Sequence, residues 1–148
     1  MTDRTTAQQI QALRTWARGY SADRAAVELL ITHDEWLNRP DFRDRFVEDI
    51  PVDEVHTEPL TVIHWDLVLI AVQNHDLVAS SSALAVLRIA LSLAVCEPVD
   101  LCEALVGLDA TNTAAVATAV VTAAQADDRV SVTLVARGLP DWLREEKR

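Results

Sequence analysis

The sequence predicts an all-α fold, a compact bundle of about six helices in a single domain over 1–148. Apolar residues recur three and four positions apart along most of the chain, and several of these runs begin behind a Ser, Thr or Asp that can cap a helix. The breakers are few and fall between the runs, with 3 Gly and 5 Pro in 148 residues. Half of the residues are hydrophobic and 24% are charged, which excludes a disordered or collagen-like chain. A chain of 16.3 kDa buries roughly two thirds of its unfolded surface, so a full core needs neither disulfides nor metal.

Thr6 and Gln9 have the spacing of a capping box, and Ile10, Leu13 and Ala17 follow at helical spacing until Gly19. Ser21 caps a second helix expected to reach Leu37, with Ala22, Ala26, Leu29, Leu30, His33 and Leu37 on one stripe and Arg24, Glu28 and Glu35 opposite. Asn38 and Pro40 end it, and a shorter helix holding Phe42 and Phe46 one turn apart runs up to Pro51. Residues 51–59, PVDEVHTEP, read as an acidic loop between prolines. At 60–65, LTVIHW is β-branched and fits extended chain, whereas Trp65, Val68, Leu69 and Val72 recur as on a helix. Ser80 to Ser82 cap a helix to about Cys96. Pro98 and Asp100 open a short helix that Gly107 ends, and Asp109 caps a long one to about Ala126. Val130, Val132 and Leu134 alternate with Ser131 and Thr133, the period of a short C-terminal strand over 130–135. Gly138-Leu139-Pro140 separates it from a tail that Trp142 would pin.

Several segments resemble a set of small actinobacterial helical proteins to which no activity is assigned: Trp36-Leu37-Asn38-Arg39-Pro40-Asp41-Phe42, Ile63-His64-Trp65-Asp66, 86–94 (VLRIALSLA), Pro98-Val99-Asp100-Leu101 and 107–112 (GLDATN). The resemblance spans 27–126 and implies an all-helical domain, with no catalytic residues to carry over.

The charge balance excludes some functions. The formal charge is −10, with 13 basic against 23 acidic residues, so the chain lacks the basic footprint that meets nucleic-acid phosphates. The pair of helices around Gly107-Leu108-Asp109 has helix-turn-helix spacing, but the second, ATNTAAVATAVVTAAQA, has no Lys or Arg to read a groove. That uncharged stretch, 110–126, is 17 residues with six polar ones, too short and polar to span a bilayer. No apolar h-region follows Met1-Thr2-Asp3-Arg4, so a cytoplasmic location is expected. Two cysteines, Cys96 and Cys102, are too few for a disulfide framework and read as small buried hydrophobes.

Arg88 is the most informative position. It is the single Lys or Arg between Arg45 and Arg129, and residues 51–110 set nine acids against it. On a helix it shares a narrow polar stripe with Ser81 and Ser92, beside Leu84, Leu87, Leu91 and Val95. An Arg so placed is either half of a structural ion pair, with Asp66, Glu103 or Asp109 as partner, or an anion contact in a pocket. The candidate ligand-binding set is therefore Arg88, Asp66 and Asp109. Each of the four His has an acid close by: His33 before Asp34 and Glu35, His56 before Glu58, His64 before Asp66 and His75 before Asp76. Residues two apart on a helix point about 200° apart and do not converge; only in extended chain, as around His56 or His64, would both side chains share a face, and no spacing such as His-Glu-x-x-His supports a metal site. His33, within an apolar stripe, reads as a core histidine. No phosphate loop, nucleophile elbow or placed carboxylate pair occurs, and no cofactor or metal is expected.

The leading functional expectation is a non-enzymatic helical interaction or regulatory module, homodimeric and acting through an apolar and acidic surface. The uncharged 110–126 helix motivates it, since a helix without charge on its outer side is central or covered by another chain. The lone strand at 130–135 would gain a partner by two-fold pairing. A narrower version gives it a basic protein partner. The alternative is a small-molecule anion sensor or enzyme that uses Arg88 in a pocket.

Overall fold

A computed structural model of the chain describes residues 5–135. The fold is mostly helical with one small antiparallel sheet. The elements, in order, are α1 (Thr6–Ala17), α2 (Ser21–His33), α3 (Glu35–Asn38), α4 (Pro40–Phe46), β1 (Val47–Ile50), β2 (Leu60–Ile63), α5 (Trp65–Gln73), α6 (Ser81–Val95), α7 (Leu101–Leu105) and α8 (Ala110–Ala123).

The first cap falls one residue earlier than the sequence spacing implies. Thr5 accepts from the Gln8 amide, and the Gln8 side chain accepts from the Thr5 amide, which closes the capping box. Ser21 is not a cap either: it is the first residue of α2, and its hydroxyl donates to the Ala123 carbonyl at the end of α8. The single helix expected to reach Leu37 is two. Asp34 adopts a left-handed backbone with φ 65°, closing α2 and redirecting the chain into α3. The apolar periodicity continues through this break because both pieces face the same core, so periodicity alone could not reveal it.

The sheet is the larger departure. Val47–Ile50 pairs with Leu60–Ile63 in the register Val47 to Ile63 and Ile50 to Leu60, with the 51–59 loop between. The 60–65 ambiguity resolves into both readings in succession, strand to Ile63 and helix from Trp65. Thr61 is fully buried, and its hydroxyl donates to Asp49 Oδ1 at 2.6 Å, tying the strands by their side chains as well. The expected C-terminal strand is absent among the described residues, where 130–135 has no regular structure. Trp142 and the Gly138-Leu139-Pro140 break lie outside the described residues.

α2 and α6 form the centre. α6 buries Val86, Leu87, Ile89 and Leu91 from its Ser80 cap to its end, and α2 buries Val27, Leu29 and Leu30 against it. An aromatic cluster closes one end: Trp36 and Phe42 have ring centroids 5.4 Å apart and Phe42 and Phe46 5.1 Å, both tilted. α8 lies against α2, where Ser21 donates to the Ala123 carbonyl and His33 Nδ1 stands 2.8 Å from Asn112 Oδ1, and it buries Ala115, Val116 and Ala119. α8 is thus peripheral, one face packed and the other open.

Candidate functional site

The site centres on Arg88 and is built by three neighbouring segments. Ser80 starts α6 by accepting the Ala83 amide. Two turns on, the polar stripe of α6 emerges beside the loop of Pro98 and Val99. α6 ends where Cys96 takes a left-handed conformation with φ 59°, which turns the chain back toward the helix it has left. Asp100 then caps α7 by accepting from the Glu103 amide at 3.1 Å, holding α7 across α6.

Arg88 lines two hollows on this surface. The larger, about 620 Å³, is bounded by Leu84, Arg88, Pro98, Val99, Asp100 and Glu103. The smaller, about 210 Å³, lies among Leu69, Val72, His75, Leu91 and Glu97 and shares Arg88 and Pro98 with the first. The guanidinium stem is half-buried against apolar neighbours. Among the described residues Arg88 makes no ion pair and no side-chain hydrogen bond, whereas Arg14, Arg18, Arg24 and Arg39 each meet a carboxylate.

The three site residues expected from sequence do not come together. Asp66 sits exposed in the first turn of α5, where a negative charge suits the helix dipole. Asp109 caps α8, its Oδ1 accepting the Asn112 amide at 2.7 Å. Neither lines a hollow with Arg88; of the acids weighed as its partners, Glu103 alone shares its cavity. Asp100, Glu97 and His75 are the residues that sequence reasoning missed. Asp100 carried a signal only as a cap, and the return of the chain at Cys96 that brings it to Arg88 has no glycine to announce it.

The histidines are arranged differently from their sequence neighbours. His64 Nε2 lies 2.8 Å from Glu48 Oε2 across the sheet, and His56 Nδ1 lies 3.2 Å from Asp53. Two backbone amides, of Val55 and His56, donate to that Asp53 carboxylate and hold its pKa below the usual range. His33 is a core histidine: its side chain is 4% exposed, and Nδ1 lies 2.8 Å from Asn112 Oδ1 on α8. Its Nε2 is buried without a hydrogen bond and stands 3.6 Å from Glu35 Oε2. Here the two-apart rule fails, because the left-handed Asp34 breaks the helix between them. Among the described residues no three metal-ligating side chains gather. Cys96 and Cys102 are exposed, contrary to the buried expectation, since Cys96 lies in the turn that closes α6 and Cys102 on the outer side of the short α7. No helix among the described residues is long and apolar enough to cross a membrane.

No family model, no curated protein and no solved structure matches the chain. The resemblance of 27–126 to the actinobacterial set gains nothing from these comparisons, and the functional reading rests on the geometry alone.

Proposed function

We propose that the chain is a non-enzymatic interaction module that self-associates as a homodimer through the open side of α8. The observation carrying this reading is the chemistry of that side. α8 packs Ala115, Val116 and Ala119 on α2 and leaves Thr111, Thr113, Thr118, Val120 and Ala124 exposed, without one charged residue in the helix. Val120 is 57% exposed. A peripheral helix facing only water is ordinarily charged on its outer side. The stretch after α8 extends the same character, with Val130, Val132 and Leu134 all exposed.

A second copy is the occupant that the charge favours. Two chains of charge −10 repel, and the repulsion is least where they meet on a face that carries none. α8 is the one helix among the described residues without an Asp, Glu, Lys or Arg. A basic partner would instead select the acid-rich surface of 51–59. The small Ala and Thr side chains let two helix backbones approach closely, and a two-fold axis makes one such patch sufficient for both chains.

Sedimentation velocity or light scattering on the full chain tests the reading. The expected mass is twice the 16.3 kDa of one chain at micromolar concentration. Val120→Glu is expected to yield monomer with unchanged helicity, while Val52→Glu, at an exposed site in the 51–59 loop, leaves the dimer intact. A monomeric wild-type protein throughout the concentration range overturns it.

A further inference from the structure

The hollow beside Arg88 is independent of the α8 face and has its own chemistry. We infer that it binds a small zwitterion, an apolar amino-carboxylate whose carboxylate meets Arg88 and whose ammonium meets Glu103.

The inference begins with the absent ion pair. Arg88 is half-buried, shares its hollows with Asp100, Glu103 and Glu97, and still has no carboxylate within 4.0 Å among the described residues. The guanidinium therefore has no protein acceptor for its donors, and its planar fork suits a carboxylate bidentately. The cavity volume of about 620 Å³ falls in the range of about 300–1,000 Å³ common for small-molecule sites.

The other walls narrow the ligand. Asp100 and Glu103 share the hollow with Arg88. Asp100 spends one carboxylate oxygen on the α7 cap. Glu103 receives no side-chain hydrogen bond among the described residues and is exposed. The site thus sets one positive charge against two negative ones. A phosphate dianion or a dicarboxylate would gain one favourable contact and two repulsive ones, and a simple monocarboxylate is still opposed by the excess negative charge. A ligand that carries both a carboxylate and an ammonium group satisfies both signs. Leu84, Val99 and Ala104 also line the hollow and favour an apolar body beside the two charged groups.

Isothermal titration of the full chain with L-leucine, 4-methylpentanoate, 3-methylbutylamine and inorganic phosphate tests the assignment. The second and third probes keep the branched body and remove the ammonium or the carboxylate. Leucine is expected to bind, each truncated probe to bind roughly 10- to 100-fold more weakly, and phosphate not to bind. Arg88→Met should abolish leucine binding, Arg88→Lys should retain a weakened fraction, and Glu103→Gln should weaken leucine while leaving 4-methylpentanoate unchanged or improved. Thermal melting of each variant without ligand confirms that it folds, and Val120→Glu should bind leucine like the wild type. No binding of leucine or of any other apolar α-amino acid overturns the inference. So does leucine binding indifferent to Arg88→Met, or phosphate binding tighter than leucine.

Discussion

The buried indole of Trp36 donates its Nε1–H to the carbonyl oxygen of Ala83 at 2.9 Å, linking α3 to the first turn of α6 across 47 residues of sequence. That carbonyl lies where α6 has just left its Ser80 cap, so the bond sets the position of the helix that carries Arg88. The Arg39 guanidinium stands 4.7 Å from the Trp36 ring centroid, donates to the Val78 carbonyl and pairs with Asp41. The aromatic end of the core and the approach to α6 are therefore one connected structure.

Trp36→Phe keeps most of the ring volume and removes the donor. It should cost about 0.5–1.5 kcal/mol, because the Ala83 carbonyl loses a second donor while keeping its place in the α6 hydrogen-bond ladder. Urea unfolding with an unchanged m-value checks this. Trp36→Ala, which also opens a cavity, should cost about 3–5 kcal/mol.

Ala26→Leu tests the contact between α2 and α8. Ala25 and Ala26 are fully buried, and Ala115 and Ala119 nearly so. Extra methylenes have no space there and should destabilise by about 1–3 kcal/mol. A melting temperature equal to that of the wild type would contradict the packing.

Arg88→Met should change stability by no more than about 0.5 kcal/mol, since no ion pair is broken and the thioether can lie along the same apolar wall. Thermal unfolding is the measurement. A loss of about 3 kcal/mol or more would show a buried structural pair instead.

Acid should weaken the start of α4 slightly. The hydrogen bond and charge of Arg39 hold the Asp41 carboxyl below its usual pKa. Its contribution is therefore complete above the unfolded aspartate pKa and is lost as the pH falls through the lower folded value. The pair is half-exposed, so solvent screening limits the effect to about 0–0.5 kcal/mol. In Asp41→Asn, the fall in stability between about pH 4 and pH 2 should be smaller by that amount.

The helical frame was legible where side chain and backbone act locally. Ser80 and Asp109 cap the helices they were expected to cap, Asp100 opens α7 as expected, and Ala26, Leu29 and Leu30 of the predicted α2 stripe are buried, joined by Ala25 and Val27 from outside it. What escaped was set by distant parts of the chain. Val47–Ile50 reads VEDI, too short and too polar to announce a strand, and it becomes one because Leu60–Ile63 returns beside it. Asp34 and Cys96 take left-handed turns that glycine usually signals, and each shifts which residues meet. The isolation of Arg88 in its charge environment was visible as a sequence anomaly. Its association with Asp100 and Glu103, rather than Asp66 or Asp109, depended on the turn at Cys96.

α8 reaches back to the beginning of α2, where Ser21 donates to the Ala123 carbonyl and Arg24 pairs with Asp127, over sequence separations of 102 and 103 residues. During synthesis the apolar side of α2 emerges long before the segment that covers it, so the nascent chain carries an uncovered greasy flank until α8 has been made.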